Sequence, residues 1–137
     1  MAATTADVGR VKEIYEAFGR GDVPAIQELV TDDIVFYDPG PPEVTHAGTY
    51  RGRDGVAEFF RLLAESQEFE SFEPLEFYAG GERVVVLGRL RATVRATGVT
   101  YDNEWAMVFT FRDGLVSRFQ VYEDTARELA AHVARQS

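Results

Sequence analysis

The chain has 137 residues, 45% hydrophobic and 27% charged, with 14 Lys+Arg against 23 Asp+Glu for a net charge of −9. That sum argues against nucleic acid and anionic membrane as partners, because both need clustered positive charge. The absence of cysteine excludes disulfides, thiolate metal sites and cysteine nucleophiles, and only two histidines, His46 and His132, far apart in sequence, argue against a multi-histidine metal site.

No apolar run is long enough to span a bilayer, and the N-terminal residues lack the basic-then-apolar pattern of a secretory signal. The expectation is a single cytoplasmic domain over residues 1–137, with a small hydrophobic ligand and no metal or organic cofactor. Ten Phe, six Tyr and one Trp in so short a chain point to a large apolar interior or a cavity walled by rings.

Val11, Ile14, Tyr15 and Phe18 recur at helical spacing and predict a first helix, with Asp7 as its N-cap and Gly19-Arg20-Gly21 as its stop. Asp22 caps a short second helix with Pro24 in its first turn and Ile26, Leu29 and Val30 on its buried side. Asp32-Asp33 then turns the chain into a strand, Ile34 to Asp38. Residues 39–49, with three of the five prolines, read as an irregular, mobile loop. Val56, Phe59, Phe60 and Leu63 mark a third helix over about 54–66.

From residue 69 the period drops to two. Strands are expected at 72–78, 83–96, 99–111 and 115–123, with turns at Gly80-Gly81, Thr97-Gly98 and Asp113-Gly114. A final helix runs over 125–135, where Thr125 and Glu128 have capping-box spacing. Helices set apart from an antiparallel meander read as α+β.

Alternation assigns the faces. Val84, Val86, Leu90, Ala92 and Val94 share one face of their strand, while Arg83, Arg89, Arg91 and Arg95 take the other. A two-residue turn at Thr97-Gly98 pairs Leu90 with Trp105 and Arg91 with Glu104, so apolar meets apolar and charge meets opposite charge. Val85, Leu87, Ala106 and Val108 leave the second face too apolar for full solvation, which suggests a homodimer through it; scattered surface apolar residues explain it equally well.

Three segments carry a resemblance: Ile14-Tyr15-Glu16-Ala17-Phe18-Gly19-Arg20-Gly21-Asp22, Asp32 through Gly40, and Tyr50-Arg51-Gly52. Together they resemble SnoaL-like members of the NTF2-like superfamily, to which ketosteroid isomerase belongs. The resemblance implies a cone of curved antiparallel sheet closed by N-terminal helices around a deep apolar pocket. It also implies that Asp38, in an acid-Pro context at the end of the first strand, is the catalytic acid–base group. Strand alternation places Asp38 on the face of Phe36, where apolar walls raise a carboxyl pKa; a carboxylate there also suits a solvated cap before Pro39-Gly40.

The oxyanion donors of ketosteroid isomerase, a tyrosine and a protonated aspartate, do not carry over. Ile14 and Met107 stand at those positions, and Tyr15 points elsewhere around the helix. A SnoaL-like aldol cyclase usually sets a histidine near its carboxylate, and His46 in the 39–49 loop reaches the pocket mouth on that reading. The Asp–Arg–Asp set of limonene-type epoxide hydrolases is disfavoured, because the sheet arginines fall on the face opposite Trp105 and Phe109.

Position adds Tyr15, Phe18, Phe36, Tyr50, Phe59, Trp105, Met107 and Phe119 as ligand contacts and Asn103 as an amide to orient a carbonyl. Glu123 becomes a second pocket carboxylate if a bulge at Asp113-Gly114 shifts the last strand by one. The expected function is cofactor-independent acid–base catalysis, meaning isomerisation, cyclisation or dehydration of a hydrophobic carbonyl or polyketide-like molecule. The alternative is a non-catalytic domain of the same fold that binds a small apolar ligand or a protein partner.

Overall fold

The computed structural model describes residues 5–134. Helices α1 (Thr5–Arg20) and α2 (Val23–Gln27) come first, then strands β1 (Val30–Asp38) and β2 (Gly48–Arg51) and helix α3 (Gly52–Ser66). Strands β3 (Gln67–Gly80), β4 (Arg83–Val94), β5 (Thr100–Arg112) and β6 (Leu115–Glu123) follow, and α4 (Thr125–Val133) ends the fold. One curved sheet takes the order β2-β1-β6-β5-β4-β3 and stays unclosed. It is mixed, because β1 runs parallel to β6 while every other pair is antiparallel.

The helices cover the concave face. Val11, Ile14 and Ala17 form the buried stripe of α1, and Val56, Phe59 and Leu63 that of α3. They close on Val84, Val86, Trp105, Phe109 and Phe119 of the sheet. Asp22 caps α2 as expected, accepting from the Ala25 amide at 3.2 Å. Asp7 does not cap α1; it lies inside the first turn and is buried. Val30 lies outside α2 and opens β1, its carbonyl oxygen accepting from the Arg53 guanidinium at 2.8 and 3.2 Å, so Asp32-Asp33 are strand residues and not a turn.

Strand β2 was not legible, since four residues pairing only with β1 give no periodic signal. The 39–49 loop is pinned: Val44 and His46 are each 1% exposed, and turn hydrogen bonds join Val44 to Pro41 and Ala47 to Val44. For α4 the N-cap is Asp124, whose side chain accepts from the Arg127 amide at 3.1 Å. Glu128 is thereby free to turn inward.

The faces hold but one register moves. Gly88 pairs with Trp105, Arg89 with Glu104 and Leu90 with Asn103. Residues 95–98 form a four-residue connection, with Val94 and Val99 as the last bonded pair and Gly98 at φ +73. A slip of two preserves the face of every side chain, whereas a slip of one would invert it.

The second hairpin is the expected two-residue turn, with positive φ at both Asp113 and Gly114 as a type I′ turn demands. The bulge that brings Phe119, Val121 and Glu123 inward sits between the Thr110–Arg118 and Phe111–Val116 pairs, not at the turn. Two further bulges, at Glu70 and Leu75 on β3, bend the edge of the sheet over the helices.

Gly88 marks the tightest approach in the sheet. A Cβ there would collide with the Trp105 ring edge and the Glu73 carbonyl oxygen. Gly88→Ala therefore lowers stability by about 1–3 kcal/mol, the usual cost of overpacking a rigid site. Equilibrium urea unfolding followed by Trp105 fluorescence measures this loss; an unchanged midpoint would contradict the close packing of the indole on β4.

Candidate functional site

A cavity of about 80 Å³ opens between α1, α3 and the concave face of the sheet. Most of its wall is aromatic. Phe36 and Phe119 stack with centroids 4.0 Å apart, Phe72 stacks on Trp105 at 5.0 Å, and Tyr15 touches the rings of Phe72, Phe77, Trp105 and Phe109. Such offset and edge contacts fix the rings in place.

The polar wall lies where β1, β6, the 39–49 loop and α4 converge, and it brings together Asp38, His46, Glu123 and Glu128. His46 Nε2 lies 3.2 Å from Glu128 Oε2 and 3.7 Å from Asp38 Oδ2. Its Nδ1 lies 2.9 Å from Ser66 Oγ. When Glu128 is ionised, Nε2–H donates to it and the Ser66 hydroxyl donates to Nδ1. When Glu128 is protonated, both roles reverse. The row thus accommodates a proton at either end. Ser66 is buried but does not line the cavity, so it orients His46 and does not act as a nucleophile.

Burial first, and the neighbouring Glu128 carboxyl second, favour the proton on Glu123. Asn103 Nδ2 donates to the Asp124 carbonyl oxygen at 3.0 Å and reaches Glu123 Oε2 at 3.4 Å. Burial and the nearby Glu128 and Glu123 hold the Asp38 carboxyl well above the ordinary carboxylate range. Burial also raises Glu123 and Glu128. The same burial pushes His46 down to about 4, leaving it neutral. Two carboxyl oxygens, Asp38 Oδ1 and Glu128 Oε1, are buried without a hydrogen-bond partner among the described residues.

Of the residues expected to meet a ligand, Asp38, Tyr15, Phe18, Phe36, Phe59, Trp105, Met107, Phe119 and Glu123 line the cavity. Tyr50 does not: its ring packs on Phe59, and its hydroxyl donates to the His46 carbonyl oxygen at 2.8 Å. It braces the loop. Asn103 also stands off the cavity, with its amide committed to β6 and the start of α4. His46 is embedded deep in the wall rather than at the mouth. The Tyr15 hydroxyl donates to Met107 Sδ at 3.1 Å, so it is spent within the wall.

Glu128, Gln67 and His132 escaped the sequence reading. Glu128 carried a competing capping assignment, and the contacts of Gln67 with Tyr101 (2.9 Å) and His132 (3.2 Å) join residues dozens of positions apart. A buried acid three residues before Ala131 on one face of α4 was the available clue to Glu128. No lysine or arginine is among the residues lining the cavity. Arg89 pairs with Glu73, and Arg91 with Glu70 and Asp102, on the exposed face, as parity required.

Residues 11–119 match the model of the SnoaL-like domain. The chain belongs to the SnoaL-like family. An NTF2-like protein from Burkholderia xenovorans, of known crystal structure, is 34% identical with a TM-score of 0.87, over 95% of this chain and 98% of that one. An uncharacterized protein of Mycobacterium tuberculosis is 27% identical over 124 residues, 88% of this chain and 92% of its own length. TerC shares the fold at 23% identity and a TM-score of 0.84, over 95% of this chain and all of its own. This SnoaL-like chain is thus α+β with the NTF2-like architecture. Among its described residues, no helix is long and apolar enough to cross a membrane.

The buried carboxyls link stability to pH. Glu123 has a folded pKa above its unfolded value near 4.3, so its contribution is full below that value and lost as pH rises through the folded pKa. His46 has the opposite sign, with a contribution present above its unfolded value and lost as pH falls toward about 4. Glu123→Gln removes the first dependence together with the influence of Glu123 on Asp38 and Glu128. Its melting temperature relative to the parent rises between about pH 5 and about pH 8; a constant difference across that window would mean that Glu123 titrates as in water.

Proposed function

We propose that this SnoaL-like protein is a cofactor-independent enzyme that moves a proton on a hydrophobic carbonyl compound, with Asp38 as the acid–base group. The observation that carries the reading is the pair of unpartnered oxygens, Asp38 Oδ1 and Glu128 Oε1, on the wall of an otherwise apolar cavity. A fold that only packs a core has no reason to bury a carboxyl oxygen without a partner.

In the proposed step Asp38, when ionised, takes a proton from the carbon beside the carbonyl. The C–H bond breaks, an O–H bond forms on Asp38, and the electron pair moves onto the carbonyl oxygen. Return of the proton to another atom gives isomerisation; attack of the enolate on a second carbonyl, whose oxygen takes the proton from Asp38, gives cyclisation; loss of a β-hydroxyl as water, carrying the proton from Asp38, gives dehydration. His46 hydrogen-bonds Glu128 and lies 3.7 Å from Asp38, so in this reading it exchanges a proton with Glu128 and orients that carboxyl beside Asp38. One positioned base supplies about 10²–10⁴-fold. The TerC structure obtained with polyporic acid supports a ligand in this fold.

A second reading is a non-catalytic ligand-binding domain. The apolar Ile14 and Met107, which stand where ketosteroid isomerase carries its oxyanion donors, favour it. Asp38→Asn separates the two. With acetophenone in deuterated water, exchange of the methyl protons, followed by proton NMR, drops about 100-fold or more while acetophenone binding persists. If the parent protein exchanges acetophenone no faster than buffer, proton transfer on this ketone class is ruled out and the binding reading is favoured.

The outer sheet face is proposed as a homodimer surface. Tyr78, Val85, Leu87, Ala106, Val108 and Tyr122 share that face, and Tyr78 and Tyr122 are 53% and 51% exposed. Light scattering is expected to give a dimer mass for the parent and a monomer mass for Leu87→Arg; a monomeric parent would remove this surface from consideration.

A further inference from the structure

We propose that the Trp105 indole N–H is the hydrogen-bond donor that receives the carbonyl oxygen of the ligand. The inference rests on the reading of the cavity as a carbonyl-compound site and assigns the group that answers the oxygen.

Trp105 is 3% exposed and lines the cavity, and its Nε1 has no hydrogen-bond partner among the described residues. An indole nitrogen can only donate, and buried donors are rarely left unpaired. Two other donors near this wall are spent. The Tyr15 hydroxyl goes to Met107 Sδ, and the Asn103 amide goes to the Asp124 carbonyl oxygen and Glu123. The remaining unpartnered atoms on the wall, Asp38 Oδ1 and Glu128 Oε1, belong to carboxyls that exchange protons.

The indole is held rigidly. Phe72 stacks on it at 5.0 Å and 18°, and its six-membered ring edge lies over Gly88, where no side chain fits. Trp105 is also the direct cross-strand partner of Glu123. Facing residues in an antiparallel pair have Cβ atoms about 4.5–5.5 Å apart. The indole and the Glu123 carboxyl therefore line one cavity together with Asp38. This arrangement selects a flat, apolar, conjugated carbonyl, with the oxygen toward β5 and the exchanging proton toward Asp38. A fixed donor at the oxygen also stabilises the negative charge that develops there when the adjacent proton leaves. It takes the place of the oxyanion donors that Ile14 and Met107 cannot provide.

Because the chain holds one tryptophan, a nitrogen-15-labelled sample shows one indole N–H cross-peak. Acetophenone and ethylbenzene, which match in shape but differ in the carbonyl oxygen, are titrated into the full-length protein. Acetophenone is expected to move the indole proton downfield and to bind roughly 10-fold tighter than ethylbenzene, with that preference falling to about one in W105F. No downfield movement up to the solubility limit of acetophenone overturns the assignment, and so does a W105F variant that keeps the preference. The wild-type spectrum decides the matter even if W105F fails to fold. Failure here is separable from failure of the catalytic reading: a shifted indole without proton exchange retains the donor and removes the chemistry, whereas exchange with an unmoved indole does the reverse.

Discussion

Three carboxyls and an imidazole share an interior walled by rings, and the fold must neutralise them there. Water cannot solvate Asp38, Glu128 and His46 in that position and reaches the half-buried Glu123 only in part, so protons, mutual hydrogen bonds and neighbouring amides do so instead. Raised carboxyl pKa values and a depressed imidazole pKa are two results of one cause, the exclusion of solvent by Phe36, Phe59, Phe119 and Trp105. The same exclusion makes a carboxyl competent to exchange protons near neutral pH.

That interior exists because the sheet curves. Bulges on β3 and β6 bend the strands around the helices. The bulge on β6 turns Phe119, Val121 and Glu123 toward the cavity, and β5 brings Trp105, Met107 and Phe109 to meet them. Segments that look irregular in sequence are the ones that complete the polar wall. Val44 anchors the 39–49 loop so that His46 points inward, and Asp124 caps α4 so that Glu128 does the same. Ser66, at the end of α3, then holds the far side of the imidazole.

Parity was the most dependable guide from sequence to site. It separated the exposed arginines Arg89 and Arg91 from the inward Trp105 and Phe109, and the slip of two in the β4–β5 register left that separation intact. It also placed Asp38 on the face of Phe36. It had no power over residues outside regular elements. His46 sits in a turn-rich loop, Tyr50 in a strand of four residues, and Glu128 in the first turn of a helix where capping competes for the same acid. For such residues, direction is set by what packs against the segment, and periodicity carries no record of that.

The sequence by itself determined the α+β class, the helical stripes, the two faces of the meander, the Asp113-Gly114 hairpin and the inward course of Asp38. All of these follow from local periods and turn chemistry. Only the tertiary structure decided that His46 and Glu128 join Asp38, that Asn103 and Tyr50 serve as braces, that β1 lies parallel to β6, and that the Trp105 N–H is left unspent. Each of these depends on contacts between residues far apart in the chain. The choice of partner there is made by close packing and by the need to satisfy every buried polar atom, and neither is written in the spacing of side chains along one segment.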